Sequence, residues 1–269
     1  MHPKPSLLVA ISLAAILIVT VMFGAERKHA RVTEVIRDVR LLASQAAARA
    51  AAVNDPVNEG TAVRTGTESR AELTFADETI TRLGANTVFS FGGAARTYNL
   101  GSGAILMTAP PNAGTVKISS GVATCAVSGF TGIWESHSKY ANKILIIEGD
   151  GDAWLNKNPG DHRHMHSRQI LVFPPNANVL PQPQEFDVCK VINNGLFVTG
   201  FLKQLPSWPQ MVAECDVQRN SPLAPQLVDP TGHEATDQSV SARPEESRPA
   251  LPTPRPTDDG ELLRRRQRP

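Results

Sequence analysis

The sequence predicts a mainly β protein, and three observations carry this prediction. Residues 57–173 alternate apolar with polar side chains over many consecutive segments, which is the period of strands with one buried face. Glycine, asparagine and proline separate these segments, as tight turns require. A hydrophobic content of 41% in 269 residues is enough for one substantial core. We therefore expect one β domain over residues 57–173, built as a β sandwich or a short β solenoid.

The clearest strand pair lies at residues 71–83. In the segment 71–75, alanine, leucine and phenylalanine alternate with glutamate and threonine, so the apolar side chains would share one face. A polar turn follows at 77–79, and a second alternating segment at 80–83 stops at the Gly-Ala-Asn of 84–86. Glycine and asparagine tolerate the positive φ angles that chain reversals often need. This stretch predicts a β-hairpin.

Further strands are expected on both sides of the hairpin. Residues 26–56 are assigned as a strand leading into the domain, followed by an alanine-rich linker at 43–52. Within the domain the remaining strand-like segments are 114–119, 121–127, 143–147 and 168–173. The last two are apolar enough to be buried on both faces. The two prolines at 174 and 175, directly after the last segment, mark the end of the domain.

Glycines at three places, 58–63, 100–105 and 147–154, each precede a strand-like stretch. Glycine supplies conformational freedom there, so these segments predict turns between successive sheet layers. A phosphate-binding loop would need a helix after its glycines, whereas strands follow here. We expect no nucleotide site, and the net charge of +1 gives no general attraction to nucleic acid.

Residues 1–25 are expected to be a signal peptide or a signal-anchor helix. The apolar run 7–23 has 17 residues, between the roughly 7–15 of a signal peptide core and the roughly 20 of a spanning helix. Cleavage after Ala25 would put bulky Phe23 at the −3 position, so an uncleaved helix in the membrane stays an alternative. The basic residues at 27–31 favour keeping the chain that follows the apolar run on the cytoplasmic side of the membrane. A short signal ahead of a long folded domain favours export of that domain, and we adopt export.

Residues 174–220 are expected to form short helices that pack on the β domain. Asp187 is placed to cap a helix that Gly195 would close, and the prolines at 206–209 would break the chain before a last helix. From 221 to 269 proline, serine and charge dominate, so this tail, with its basic end, is expected to be disordered.

Five segments together resemble the FecR domain, a periplasmic β-rich family named for a regulator of ferric citrate transport. The resemblance rests on their order and spacing and covers most of residues 57–173. The segments are EGTAVRTG at 59–66, SRAELTFAD at 69–77, TRLGANT at 81–87, LGSGA at 100–104 and LIIEG at 145–149. The chain departs from the family at 128–131 and 167–169, where Gly-Thr and Pro-Gly-Gln are usual, and the fold could tolerate both changes.

This resemblance implies an exported bacterial β domain, periplasmic or anchored in the inner membrane, that is not an enzyme and has no catalytic residue or cofactor. In the regulators the domain reads the state of a receptor and signals inward to a sigma factor. Those proteins carry a cytoplasmic anti-sigma region before their membrane helix, whereas about six residues precede the apolar run here. A direct control of a sigma factor is therefore in doubt.

The alternate histidines His162, His164 and His166 are the one stretch that looks like a site. In an extended chain their imidazoles project to one side, and imidazole nitrogen binds zinc or copper. The ligand set is incomplete unless Asp161 or His137 folds beside them. We expect an exposed hairpin loop here and assign no metal-binding residue.

Other candidate residues fit structural roles better. Three acidic residues lie close in sequence but lack the spacing of a calcium loop: Glu148, Asp150 and Asp152. Three aromatic residues are candidates for a carbohydrate-stacking face, although core packing suits both tryptophans: Trp134, Tyr140 and Trp154. Of the three cysteines, Cys125 lies in a strand expected to be buried, and pairing of Cys189 with Cys215 is left open.

We expect a binding or scaffolding module of the cell envelope, whose strand edges or loops at 96–98 and 161–166 contact an envelope protein or a cell-wall polymer. The alternative is a transmembrane signalling component related to the FecR-type sigma-factor regulators, with a partner that supplies the cytoplasmic half. A metal-dependent enzyme is the weakest hypothesis, because it rests on the histidine segment alone.

Overall fold

A computed structural model describes residues 29–93, 96–221 and 227–230. The mainly β prediction is confirmed, because a 15-stranded mixed sheet accounts for about half of this part of the chain. The predicted signal or anchor segment 1–25 lies outside the described residues. None of the described helices is both long and apolar enough to cross a membrane.

The strands come first along the chain and the helices follow them. The strands are β1 (His29–Ile36), β2 (Val39–Leu42), β3 (Arg49–Ala50), β4 (Pro56–Asn58), β5 (Ala62–Thr65), β6 (Arg70–Phe75), β7 (Ile80–Leu83), β8 (Val88–Phe91), β9 (Thr97–Ala109), β10 (Val116–Ser120), β11 (Ala123–Ser136), β12 (Asn142–Leu155), β13 (Asn158–Met165), β14 (Gln169–Phe173) and β15 (Gln184–Glu185). The helices are α1 (Val188–Asn194), α2 (Leu196–Thr199) and α3 (Trp208–Arg219).

The hairpin predicted at residues 71–83 is present as β6 and β7, with Ala71 opposite Leu83. The turn at its far end uses Asn86 at a φ of 54°, as the Gly-Ala-Asn sequence indicated. The polar face of the hairpin differs from expectation, because Glu72 and Arg82 are buried at 4% and 1% exposure. The C-terminal helical segment covers that face.

The strand before the hairpin belongs to the same sheet. β1 pairs with β6 in antiparallel fashion, and β2 pairs with β5. The alanine-rich segment that follows β2 is mostly exposed and contains only the two-residue strand β3. The chain therefore reaches the hairpin through strands that already form part of the sheet.

The predicted turns at two of the glycine segments are wrong, because the strands run through them. β9, β11 and β12 span 13 or 14 residues, with Gly103, Gly129 and Gly149 inside them at positive φ. The β11–β12 register shifts between Ser128 and Thr131, which marks a bulge. A Cβ on Gly149 would lie 2.7 Å from the carbonyl oxygen of Gly129, so the two backbones approach too closely for a side chain. We call the close approach of Gly129 and Gly149, together with the bulge between Ser128 and Thr131, the glycine bend.

The sheet curls around one large inner core. Side chains from most of the strands fill it, including Leu73, Phe89, Ile118, Ile146 and Leu171, all at most 1% exposed. A second core lies between the sheet and the helices, and the buried strand residues that face it are Ala104, Leu106, Ile133, Leu145, Ile147 and Ile170. Alternate residues of β12 therefore enter different cores, which confirms that this strand is buried on both faces at 143–147.

The predicted helices after the β domain are confirmed. The Asp187 side chain accepts a hydrogen bond of 2.8 Å from the backbone N–H of Lys190 and caps α1, and Gly195 ends that helix. α3 begins at Trp208, within the proline-rich break. Cys189 and Cys215 form a disulfide, which joins α1 to α3 and settles the pairing that the sequence left open.

Arg82 connects the helical segment to the sheet. Its Nε donates to Glu72 Oε2 at 2.9 Å, and its Nη1 donates to the carbonyl oxygen of Phe197 at 2.7 Å. Its Nη2 donates to the carbonyl oxygen of Lys203, and the guanidinium lies 4.4 Å from the ring centroid of Phe201. The buried guanidinium of Arg82 thus joins a carboxylate of the sheet to two backbone carbonyl groups of the helical segment.

Part of the predicted disordered tail differs from expectation. Residues 227–230 lie against the domain, where Val228 bridges to Phe186 and the Pro230 carbonyl accepts a hydrogen bond from buried Lys143 at 3.0 Å. An apolar side chain and an acceptor for a buried ammonium explain this docking. Residues 231–269 lie outside the described part of the chain.

Candidate functional site

The histidine segment lies on a strand and not in a loop, which corrects the sequence-based expectation. β13 pairs with β12, and within this pairing His162 lies opposite Trp154 and His164 lies opposite Asp152. β13 has few apolar residues, so its strand character comes from the hydrogen bonds with β12 and not from its own composition. The expected projection to one side holds, because His162, His164 and His166 are all exposed.

The acidic residues of β12 lie on the same side of this two-stranded ribbon. His164 Nδ1 lies 3.0 Å from Asp152 Oδ1, and His166 Nδ1 lies 2.7 Å from Asp150 Oδ1. The rings of His164 and His166 meet edge to face, with centroids 4.5 Å apart. The histidines and the acidic residues, which the sequence analysis treated separately, therefore form one cluster. We call Asp150, Asp152, His164 and His166 the His–Asp cluster.

The two residues considered as additional ligands are elsewhere. Asp161 pairs with Arg163, whose Nη1 lies 2.5 Å from Asp161 Oδ1. His137 follows the end of β11 and contacts the ring of Tyr140. Asp150, and not Asp161 or His137, is the acidic residue beside the histidines. The sequence could not show this because it does not contain the register between β12 and β13.

Glu148, the third member of the acidic set, has a different environment. It lies before the bend in β12, lines a cleft of about 200 Å³ between the sheet and Ser207, and accepts a hydrogen bond of 2.9 Å from Thr131 Oγ1. Burial raises the pKa of its carboxyl group, and the Thr131 hydrogen bond opposes this shift. Glu148 therefore belongs to the cleft between the sheet and the helical segment and not to the His–Asp cluster.

The His–Asp cluster is one end of a broad polar surface. Beyond the glycine bend, β10 to β13 turn one set of side chains towards solvent, and the paired positions run Lys117–Ala126–Asp152–His164 across the four strands. The neighbouring row runs Ser119–Thr124–Trp154–His162. We call this surface the outer face, and we include Asn99 of β9, which pairs with Ser119.

The aromatic and loop candidates divide between the core and the surface. Trp134 is 4% exposed and packs on Phe130, as core packing predicted. Trp154 differs, because it is half-buried on the outer face with its ring centroid 5.0 Å from that of His162. Tyr98, in a proposed contact loop, is instead a core residue of β9.

Cys125 is buried in the inner core and is the one free cysteine of the chain. Burial raises the pKa of its thiol to about 12. A thiol with this pKa stays protonated at neutral pH, and the thiolate is the nucleophilic form. Cys125 is therefore a packing residue, in agreement with the sequence-based expectation of burial.

The chain was compared with known proteins, with solved structures and with protein families. Two crystal structures of a candidate anti-sigma factor from Parabacteroides distasonis ATCC 8503, at 1.65 and 2.50 Å resolution, align with TM-scores of 0.41 and 0.40 at 11% and 10% identity. Each alignment covers 46% of this chain and 59% of the other chain. No curated protein matched the sequence. Residues 61–150 match the family described as FecR protein, which confirms the predicted resemblance to the FecR domain.

Proposed function

We propose that this chain is a signalling component of the FecR type, whose β domain binds a partner and performs no chemistry of its own. The match of residues 61–150 to the FecR family carries this proposal. In the regulators that the family is named for, the domain relays the state of a receptor. This assignment favours the signalling hypothesis over a role as a passive scaffold.

The outer face is the surface that we assign to partner binding. It is a broad, uncovered side of a rigid sheet, and Asn99, Lys117 and Ser128 are exposed on it. β13 forms its border and pairs only with β12 among the described strands, so an extended segment of a partner has an edge to join. Both features favour recognition by strands and surface side chains.

The chemistry of the described residues supports binding more than catalysis. The free thiol is buried and protonated, and the histidines lie on an open surface where water has access. The cleft is lined by two carboxyl groups, Glu78 and Glu148, and by hydroxyl groups, but by no histidine or cysteine. Catalytic sites usually combine a nucleophile with a base in a sheltered pocket.

We place the protein in the cell envelope, exported and either periplasmic or held in the inner membrane by residues 7–23. An apolar run of this kind at the N-terminus supports that location. The partner that we propose is an envelope protein, because strand addition and sheet-surface contacts suit a polypeptide. A cell-wall polymer is the competing partner.

Deletion of the gene in its own host tests the proposal. We expect the transcripts that depend on one alternative sigma factor to change, and the full-length chain supplied in trans to restore them. A transcript profile identical to that of the parent, under conditions in which the chain is present in the envelope fraction, would contradict the proposal.

A further inference from the structure

The His–Asp cluster has the chemistry of a metal site that the signalling proposal does not require. We propose that Asp150, His164 and His166 bind a divalent transition-metal ion of the zinc class on the outer face. Two imidazoles and a carboxylate are ligands that zinc accepts in proteins. The inference is independent of the proposed function.

The distances between the ligand atoms support this assignment. One ligand atom from each of Asp150, His164 and His166 lies within 4.8 Å of the other two. In a tetrahedral zinc site, bonds of about 2.0–2.1 Å place neighbouring ligand atoms roughly 3.4 Å apart. Because all three side chains are exposed, small rotations about their side-chain bonds can close this gap without moving the strands.

The backbone already brings the ligands together. His164 lies on β13 and His166 directly follows the end of that strand, while Asp150 is on the facing strand β12, 2.7 Å from His166 Nδ1. The pairing of Gly151 with Met165 fixes the register between them, and both of these residues are buried. A rigid ribbon thus presents the ligands, so little backbone conformational entropy is lost on binding.

Asp152 has the position of a supporting residue. Its Oδ1 lies 3.0 Å from His164 Nδ1, so it can accept a hydrogen bond from the Nδ1–H group. Nε2 is then the nitrogen that binds the metal. A carboxylate behind a ligating histidine fixes its tautomer and orientation. The cluster therefore includes both a ligand set and a residue that orients one member of it.

The donor atoms also select among ions. Calcium and magnesium prefer sets of oxygen ligands, whereas imidazole suits zinc, copper and nickel. Three protein ligands leave at least one coordination position for water or for a side chain of a partner. An exposed site of this type is expected to bind more weakly than a closed four-ligand structural site.

A zinc titration of the full chain, purified without a polyhistidine tag, tests the proposal by competition with a chromophoric chelator. We expect one zinc ion per chain, no competition from calcium, and loss of measurable binding in the His164→Ala/His166→Ala variant. Asp152→Asn is expected to weaken binding about tenfold, as for other residues that orient a ligand. His162→Ala is the matched control, because His162 lies on the same face against Trp154 and is not in the ligand set.

Circular dichroism of each variant verifies that the fold is retained. The proposal is overturned if the wild-type chain does not bind zinc, or if the double variant binds it as tightly as the wild type. An equal loss in His162→Ala would also overturn it, because zinc would then be responding to histidine content and not to the assigned geometry.

Discussion

At the scale of single residues, polar groups inside the protein decide how the parts hold together. Arg82 is 1% exposed, yet it has a carboxylate partner, two carbonyl acceptors and an aromatic ring around it. A buried charge of this kind is tolerated because its hydrogen-bonding capacity is used. The sequence placed Glu72 on the polar face of a hairpin but could not show that helices cover this face.

Replacement of Arg82 by methionine is expected to lower the free energy of unfolding by about 3–5 kcal/mol, because Glu72 would remain buried without its partner. Urea unfolding followed by circular dichroism measures this change. The control is Arg40→Met, which removes the exposed Arg40–Asp38 ion pair and is expected to cost about 0–1 kcal/mol. Equal effects of the two substitutions would contradict the role assigned to Arg82.

Glu148 makes stability depend on pH. Its folded pKa is raised by burial, so the carboxyl group contributes stability when protonated at low pH, and this contribution is lost as pH rises through the folded pKa. Glu148→Gln is therefore expected to stabilise the protein at pH 7, with the gain shrinking as the pH falls through the raised folded pKa towards the usual range of glutamate. Urea midpoints of both proteins at several pH values measure the difference.

The control for this experiment is Glu78→Gln, which changes an exposed carboxylate lining the same cleft. We expect its midpoint to follow that of the wild type at every pH. A gain for Glu148→Gln that is constant with pH would show that burial of the charge is not its cause.

At the scale of elements, the local sequence predicted those whose ends carry a chemical signal. Asp187 and Gly195 gave the limits of α1, and Asn86 gave the turn after the hairpin. The glycine bend was misread because glycine is a local turn signal, whereas the strands on both sides of it are held by hydrogen bonds to distant strands. β13 was misread for the same reason, since its partner β12 determines its conformation.

The disulfide between α1 and α3 is the covalent element of the helical segment. It closes a loop with a sequence separation of 26, which corresponds to roughly 3.5 kcal/mol of stabilisation through restriction of the unfolded chain. Cys189→Ser/Cys215→Ser is expected to lose about this amount in urea unfolding. The wild type treated with reductant should fall to the level of the variant, and the variant should not respond to reductant.

Equal stability of the two proteins would show that the disulfide does not stabilise the helical segment. If the oxidised wild type and the double variant unfold at the same urea concentration, the packing of Val191, Phe197 and Met211 on the sheet holds the helices without help from the bridge.

At the scale of the whole molecule, the glycine bend divides the outer surface of the sheet into two parts. Before the bend, Leu145 and Ile147 face the helices, and beyond it Asp150 and Asp152 face solvent. The family and the mainly β fold were predictable because they depend on local patterns along residues 57–173. The His–Asp cluster was not, since it needs the register between two strands.

This division gives the protein a closed side and an open side. The helical segment, clamped by Arg82 and the disulfide, occupies the closed side, while the outer face stays uncovered by any described element. A partner that binds the outer face would contact a sheet whose opposite surface is the inner core. The signalling function that we propose therefore depends on partner binding at the outer face.

The most direct test is complementation of the deletion strain with a chain in which the outer face carries two added charges, Asn99→Arg/Ser128→Arg. Both positions are exposed, so the fold should be retained. The matched control is Asn58→Arg/Gln204→Arg, which adds the same charges at exposed positions away from that face. We predict that the control restores the sigma-dependent transcripts and the outer-face variant does not. Full restoration by the outer-face variant, at equal amounts in the envelope, would contradict the account.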